Sequence, residues 1–216
     1  MPHQNRVNPF GELINTKAHG IFMGNRGVLH DSQGQLTDKR WTHPHWIICL
    51  TKFKGRKRPI MSPGCYTELF FFDEATALAA GHRPCAECRR KAFNHFKQAW
   101  IKGNSHLNLP ESVGVDLIDR ILQGERVKGT AETLTYDALL NDLPHGIFVS
   151  LQKAPDKAFL FWYGVLWEWT PEGYVEGSKV TPTAKLNVLT PASTVNALMA
   201  GYQPLVALDK VIQARS

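Results

Sequence analysis

The chain has 216 residues, of which 43% are hydrophobic and 20% charged, proportions typical of a globular protein with its own core rather than a disordered or fibrous one. Its longest apolar run, FLFWYGVLW at 159–167, is much shorter than the roughly 20 residues that a membrane-spanning helix needs, which argues against a membrane partner. The first residues, MPHQNRVNPFGEL, contain no apolar secretory signal, so the sequence predicts a cytoplasmic location.

Positive charge is concentrated in one part of the chain. The formal net charge is +6, but the stretch from Lys39 to Lys102 carries thirteen Lys or Arg against four Asp or Glu, a net charge of +9. The rest of the chain carries a net charge of −3, and all four cysteines lie in the basic stretch. Such a field favours a polyanionic partner, most often nucleic acid. A solubilising surface is the alternative.

Short strands are predicted at the start of the chain. GIFMGNRGVLHD at 20–31 has apolar runs on both sides of the Gly-Asn-Arg-Gly segment 24–27, which predicts a hairpin. WIICL at 46–50 and YTELFFF at 66–72 are typical of buried strands, and the basic segment KFKGRKRP lies between them.

Two helices are predicted next. Asp73 is a natural N-cap for the helix EATALAA, which ends before Gly81. A second helix is predicted to begin near Cys85 and to run to about Ile101. Its apolar residues recur at helical spacing and predict one buried face, made of Phe93, Phe96 and Trp100.

The pattern changes twice beyond residue 102. SVGVDLIDRIL at 112–122 and TYDALLNDL at 135–143 predict helical segments in a more acidic stretch. From residue 146 onwards the pattern favours strands, followed by a last short helix, ASTVNALMA, at 192–200. We therefore predict an α+β fold with an N-terminal hairpin and zinc module at 1–102, a helical connector at 103–145 and a β-rich C-terminal half at 146–216.

One short pattern occurs twice. ALAAGHRP at 77–84 and ALMAGYQP at 197–204 share Ala, Leu, Ala, Gly and Pro at the same offsets. Eight residues are too few to indicate a duplication. They predict the same local structure at both places, namely a short helix, a glycine after its end, a turn and a proline.

The four cysteines predict a zinc site. Cys85 and Cys88 form a CxxC pair where a helix is predicted to begin, and the free N–H groups there favour the thiolate form. A structural zinc site usually has four ligands, and Cys49 and Cys65 are the two remaining cysteines. All four lie within 40 residues, so we predict a Cys₄ site that holds Zn²⁺.

Other interpretations of the cysteines remain open. A thioredoxin-like redox pair requires a βαβ setting, which the surrounding pattern does not indicate. Cys49 could instead pack in the core as a small apolar residue. If Cys49 or Cys65 is not a ligand, a histidine could replace it, and the candidates are His43, His45 and His82.

The segment FFFDEATALAAGHRPCAECRR resembles the metal-binding module at the N-terminus of the Ada DNA-repair methyltransferase family, over about residues 69–90 or roughly a tenth of the chain. That module also has an aromatic strand, a short helix ending in Ala-Ala-Gly, and Arg-Pro-Cys-x-x-Cys. The resemblance implies a treble-clef-like zinc module in which Cys85 and Cys88 are ligands, and a role in DNA repair or defence.

The resemblance is incomplete upstream. In the Ada family the other two cysteine ligands are close together, and one accepts a methyl group from DNA phosphotriesters. Here Cys49 and Cys65 are 16 residues apart and the basic segment lies between them. The resemblance therefore implies metal binding more directly than alkyl transfer.

A zinc ion that holds the basic segment to the second helix would gather positive side chains on one side. We predict that this surface binds nucleic acid, DNA rather than RNA, through counterion release at phosphates. The predicted contacts from the basic segment are Lys52, Lys54, Arg56, Lys57 and Arg58. Those from the region of the second helix are Arg83, Arg89, Arg90, Asn94 and Lys97.

Two further functions are compatible with the sequence. A metal-dependent nuclease or DNA-repair hydrolase would use histidine and carboxylate side chains for general-base or metal chemistry, and the candidates are His30, Asp31 and His43. His-Pro-His at 43–45 also places two histidines on one side of an extended segment. In the third hypothesis the zinc is purely structural and the partner is another protein.

Overall fold

A computed structural model describes residues 2–56, 59–128, 132–175, 177, 179–181 and 183–208. The elements of the first half are β1 Arg6–Val7, β2 Leu13–Ile14, β3 Phe22–Asn25, β4 Ile47–Leu50, β5 Leu69–Phe71, α1 Glu74–Ala79, β6 Arg83–Pro84 and α2 Arg90–Gly103. Those of the second half are α3 Val115–Arg126, β7 Val127–Lys128, β8 Glu132–Thr133, β9 Tyr136–Leu139, β10 Ile147–Leu151, β11 Ala154–Trp162, β12 Val165–Thr170, β13 Gly173–Val175, β14 Lys185–Val188 and α4 Ala192–Met199.

The strands form two large sheets. The first has the order β2-β1-β5-β3-β4-β6, in which β1 with β5 and β4 with β6 are parallel pairs and the other pairs are antiparallel. The second has the order β13-β12-β11-β10-β14-β9 and is antiparallel throughout. The predicted α+β class is confirmed. Within the described ranges, no helix has both the length and the apolar character needed to cross a bilayer.

Helices α2 and α4 pack closely against each other. A Cβ atom added to Gly103 would lie 2.1 Å from the carbonyl oxygen of Asn196, so only glycine permits this approach. The Asn104 side chain donates to the carbonyl oxygens of Trp100 at 2.8 Å and Ser193 at 2.9 Å. The ends of the two helices are therefore joined by backbone contact and by hydrogen bonds.

The hydrophobic core is shared between the two halves of the chain. Trp100 of α2 lies in one cluster with Leu122 of α3 and with Tyr202 after α4. Helix α1 packs on the second sheet, and the hydroxyl of Tyr174 in β13 donates to the N-cap carboxylate of Asp73 at 2.7 Å. The stretch that the sequence assigned to a connector, 103–145, supplies α3 to the first core and the edge strand β9 to the second sheet.

Most predicted elements are present. Strands β4, β5 and β10 lie inside the predicted strand segments, and helices α1, α3 and α4 overlap the predicted helices. Asp73 caps α1 by accepting from Thr76 N at 2.9 Å. Gly81 and Gly201 both have a positive φ, of 82° and 111°, directly after the ends of α1 and α4. The repeated pattern therefore does specify the same helix termination twice.

The predicted hairpin at 20–31 is wrong. Strand β3 pairs with β4 on one side and with β5 on the other, so both of its edges are occupied by distant segments. After β3 the chain leaves the sheet, and the packing is so close that a Cβ atom on Gly27 would lie 1.7 Å from Thr42 Oγ1. Long-range strand pairing replaced the local turn that the Gly-Asn-Arg-Gly segment indicated.

Two predicted helices also need correction. Residues 136–139 of the predicted helix TYDALLNDL form β9 instead, because Tyr136 and Ala138 alternate with exposed neighbours and face the core of the second sheet. Helix α2 begins at Arg90 rather than near Cys85. The amide of Cys85 donates to Ile48 O at 2.9 Å, which holds this part of the chain beside β4 before the helix starts.

Candidate metal centre and its surroundings

Three of the four cysteines come together in the first sheet. The sulfur atoms of Cys49, Cys85 and Cys88 all lie within 4.8 Å of one another. Strand β4 carries Cys49, and its parallel pairing with β6 places Ile48 opposite Pro84, the residue before Cys85. The strand register therefore brings Cys49 to the CxxC pair, which lies in the turn between β6 and α2.

Two backbone amides donate hydrogen bonds to the sulfur group. Leu50 N donates to Cys88 Sγ and Glu87 N donates to Cys85 Sγ, both at 3.4 Å. Hydrogen bonds of this kind stabilise the charged form of a sulfur ligand. The site thus supplies electrostatic support for thiolate in addition to the sulfur atoms themselves.

The pKa values of the three thiols shift in different directions. A hydrogen bond from Cys49 lowers the pKa of Cys85 to about 5, with help from the backbone amides of Cys88 and Glu87. The same contact with Cys85 raises the pKa of Cys49 above its ordinary value, and burial raises that of Cys88. One thiolate is therefore stabilised beside two protonated thiols, which a bound cation would convert to thiolates.

This donor set fits a soft or borderline metal ion. Thiolate sulfurs in a tetrahedral site lie about 2.3 Å from zinc and so about 3.8 Å apart, which sulfurs already within 4.8 Å can reach with small shifts. The fourth predicted ligand, Cys65, is not part of the group. Cys65 lies in the loop before β5, where its amide donates to Ser62 O at 3.0 Å.

The structure leaves part of the predicted nucleic-acid surface exposed. Three cations of the loop after β4 are open to solvent, and Arg56 forms an ion pair with Glu87 at 2.7 Å. On α2, Arg90 and Asn94 are exposed and Lys97 is half-buried. The exposed loop cations are Lys52, Lys54 and Arg56. Lys57 and Arg58 lie outside the described residues.

Two arginines predicted to contact nucleic acid are buried instead. Arg83 forms a two-pronged ion pair with Asp119, at 2.7 and 2.6 Å. Arg89 lies 2.9 Å from the buried carboxylate of Glu74. A buried carboxylate requires a partner of opposite charge, so these guanidinium groups stabilise the fold and do not reach a solvent-borne phosphate.

The first two candidates for catalysis hold the fold in place. His30 is buried, and its ring nitrogens lie 2.7 Å from Thr67 Oγ1 and 3.2 Å from Ser62 O. The carboxylate of Asp31 accepts from the amides of Gln33 and Gln35, both at 2.9 Å, and so closes a turn. The hydrogen bonds of His30 and Asp31 thus lead to different partners, as adjacent residues of an extended chain do.

The His-Pro-His segment leads to a second group of polar side chains. His45 Nδ1 lies 2.7 Å from Asp119 Oδ2, and the ring of His43 is 5.9 Å from that of His45. His43 Nε2 bonds Asn25 Oδ1 at 3.0 Å, and burial lowers the pKa of His43. Because Arg83 donates to both oxygens of Asp119, the carboxylate is held in place and fixes the orientation of His45, whose ring remains half-exposed.

The partners of this second group were not evident from the sequence. Asp119 and Arg126, which donates to Pro44 O of the His-Pro-His segment at 2.8 Å, are seven residues apart on α3, beside the buried residues Ile118 and Leu122. Charged residues two helical turns apart next to an apolar stripe are the signal that could have indicated a buried polar contact. Nothing in the sequence indicated that Asp119 would meet Arg83 and His45.

We compared the chain with protein-family models, with curated proteins and with solved structures, and none of the three comparisons gave a match.

Proposed function

We propose that this chain is a zinc-binding protein that binds nucleic acid, DNA in preference to RNA, in a repair or defence role. The observation that carries the proposal is the group of three sulfurs, Cys49, Cys85 and Cys88, which connects the end of β4 to the turn before α2. Zn²⁺ suits this group because tetrahedral thiolate coordination is its usual structural site. The resemblance of residues 69–90 to the Ada-like module favours DNA as the partner.

The zinc ion would need a fourth ligand from outside the sulfur group. Cys65 is the remaining cysteine of the chain, and it lies in the later part of the loop that connects β4, which carries Cys49, to β5. We propose that Cys65 completes a Cys₄ site. Coordination by both ends would then hold the exposed cations of this loop beside the exposed first turns of α2.

A salt titration of wild type and of a charge-deleted variant tests the nucleic-acid proposal. Replacing the exposed loop cations by glutamine should flatten the slope of log affinity against log salt by about 2 to 3, because each lost phosphate contact removes about 0.9 from that slope. The affinity for duplex DNA at 0.1 M salt should fall about 100-fold. Fluorescence anisotropy measures both quantities. The triple variant is Lys52→Gln, Lys54→Gln and Arg56→Gln.

A matched variant removes three exposed lysines of the second sheet. It should bind DNA with wild-type affinity and slope, because these residues are far along the chain from the sulfur group and belong to another sheet. Equal losses in both triple variants would contradict the proposed surface. A wild-type affinity that does not depend on salt would favour a protein partner instead. The matched variant is Lys153→Gln, Lys157→Gln and Lys185→Gln.

A hydrolase is the second candidate function, favoured by the contact between His45 and the buried carboxylate of Asp119. A carboxylate that orients an imidazole is a common arrangement of a general base. Asp116 also lies close enough to join these two side chains around a divalent ion. In this candidate function, His45 takes the role of general base that the sequence analysis assigned to His30 and Asp31.

If the protein cleaves nucleic acid, His45→Ala should reduce the cleavage rate at least 100-fold while DNA affinity stays within twofold. The rate is measured on duplex, single-stranded and damaged oligonucleotides with Mg²⁺, Mn²⁺ or Zn²⁺ added. His106→Ala, an exposed histidine on the turn after α2, serves as the control and should leave the rate unchanged. Absence of wild-type cleavage on all of these substrates would exclude this candidate.

A further inference from the structure

A second feature of the structure concerns two arginines that the sequence did not single out, one from each half of the chain. Arg26 and Arg126 are only 4% and 3% exposed. Their guanidinium carbons lie 4.1 and 4.6 Å from the ring centre of Trp46. Burial of a charged group is strongly unfavourable unless an opposite charge compensates for it. Each of these buried cations should therefore have an anionic partner.

Among the described residues no carboxylate forms a direct ion pair with either guanidinium group, although Asp119 and Glu125 attract Arg126 from a longer distance. The other two buried arginines in the described part of the chain, Arg83 and Arg89, each form an ion pair with a buried carboxylate. Arg26 instead donates to Gly11 O at 2.8 Å and to the imidazole of His82 at 3.4 Å. Burial, together with Arg26 and Arg126, holds the pKa of His82 well below its ordinary value, so this ring is neutral.

The contacts of Arg126 are likewise neutral. Its Nη1 atom donates to Pro44 O at 2.8 Å and to Gln123 Oε1 at 3.1 Å. Arg126 Nε, Arg126 Nη2 and Arg26 Nη2 are buried and have no hydrogen-bond partner among the described residues. Almost all buried donors in proteins are bonded, so three orphaned donors on two neighbouring cations indicate a missing acceptor.

The side chains of Arg26 and Arg126 both line one small cavity, which we name the arginine cavity. Residues of both halves line it, among them Arg26, Arg40, Trp46, Gly81, Glu125 and Arg126. Gly81 makes room for Arg126, because a Cβ atom at Gly81 would lie 2.7 Å from Arg126 Cγ. The carboxylate of Glu125 accepts from Ser193 N at 3.1 Å and Ser193 Oγ at 2.6 Å, so it stabilises the start of α4.

The electrostatics of the cavity agree with this geometry. Burial, together with repulsion by Arg126 and Arg40, lowers the pKa of Arg26 to about 9. Burial also lowers the pKa of Arg126 to about 9, even though Asp119 and Glu125 act to raise it. Both groups remain cationic at neutral pH. An anion in the cavity would relieve this repulsion and raise both pKa values.

We propose that the arginine cavity is a binding site for a compact oxyanion of the phosphate type, held by the orphaned donors of Arg26 and Arg126. A guanidinium group donates two parallel hydrogen bonds to a phosphate, which matches the paired donors left open on Arg126. This site does not depend on the zinc centre or on the proposed DNA surface.

Inorganic phosphate is the probe. At a concentration 100-fold above its dissociation constant, it should raise the unfolding temperature of the wild-type chain by about 5 °C or more compared with chloride of equal ionic strength. Calorimetric titration should show one saturable site per chain. Arg26→Met and Arg126→Met should each weaken phosphate binding at least tenfold. Absence of a saturable effect in wild type, or equal binding by Arg26→Met, would overturn the proposal.

Stability without phosphate gives an independent readout. Arg26→Met should unfold at the wild-type temperature or above, because it removes a buried charge that lacks a partner. Arg83→Met should unfold several degrees lower, because it leaves Asp119 unpaired. If Arg126→Met does not fold, Arg126→Lys keeps the charge and should still bind phosphate about tenfold more weakly, since it lacks the forked donor. A lower unfolding temperature of Arg26→Met, equal to that of Arg83→Met, would assign Arg26 a purely structural role and overturn the proposal.

The source of the phosphoryl group is found by competition. Two oligonucleotides of one sequence, with a 5′-phosphate or a 5′-hydroxyl end, are titrated against bound phosphate. Displacement by the phosphorylated strand alone would identify a nucleic-acid end as the ligand. Displacement by neither would identify free phosphate or a small phosphorylated molecule. Both results support the anion site, whereas equal displacement by both strands would show that the strand's backbone, rather than a terminal phosphoryl group, competes and would overturn it.

Discussion

Replacing Cys85 and Cys88 together by serine is expected to abolish zinc binding and to weaken DNA binding at least tenfold. Two of the three gathered sulfurs disappear in this variant. Structural zinc contributes an apparent free energy of roughly 10–16 kcal/mol in zinc-finger peptides when the full ligand set is present, so a residual site with only Cys49 and Cys65 should not retain the ion. Zinc per chain is measured by mass spectrometry after dialysis against a weak chelator.

The expected loss of DNA affinity comes from the loop after β4. Without the ion, the cations after β4 are no longer held beside α2, and ordering them on binding costs conformational entropy. Cys65→Ser is the informative single variant, because Cys65 is the proposed fourth ligand and lies outside the gathered sulfurs. It should weaken zinc binding without abolishing it. Unchanged zinc content in the double variant would contradict the metal centre, and unchanged affinity in Cys65→Ser would exclude Cys65 as a ligand.

Replacing Asp119 by asparagine is expected to lower the free energy of unfolding by about 3–5 kcal/mol. Asp119 is fully buried and accepts from Arg83 at 2.6 and 2.7 Å, so its neutralisation leaves the Arg83 guanidinium buried without a counter-charge. The same change removes the acceptor of His45 Nδ1. Unfolding in urea, followed by circular dichroism, measures the loss.

The control for this variant is Asp137→Asn, which breaks an exposed ion pair with Lys185 on the second sheet. Solvent screens such a pair, so its removal should leave the urea midpoint almost unchanged. Equal midpoints for the two variants would show that the buried pair of Asp119 and Arg83 adds nothing to stability. A large loss confined to Asp119→Asn would support a structural role for Arg83 in place of the predicted DNA contact.

Elements whose signals are local were predictable from the sequence. Helix α1 begins after Asp73 and ends before Gly81 because an N-cap carboxylate and a residue with positive φ act within one turn. The same argument holds for α4 and Gly201. The proximity of Cys49 to the CxxC pair was also predicted, because all four cysteines of the chain lie within 40 residues and a zinc site needs several of them.

Features that depend on distant partners were not predictable. Strand β3 pairs with β4 and β5 and does not form a local hairpin. Residues 136–139 form an edge strand because their backbone pairs with that of β14. Local propensity is a weak preference that tertiary pairing overrides. The position of Cys65 outside the sulfur group belongs to the same class, because it depends on the path of a whole loop.

The sequence by itself determined the α+β class, the C-terminal ends of α1 and α4, and the presence of a basic, cysteine-bearing segment. Only the tertiary structure decided which of its charges face water. Arg89 and Arg90 are adjacent in the chain, yet Arg89 is buried beside Glu74 and Arg90 is exposed. The free energy of a charge depends on the solvent and the counter-charges around it, and both are set by residues far away in the sequence. For the same reason, the burial of Arg26 and Arg126 in the arginine cavity could not be predicted from the sequence.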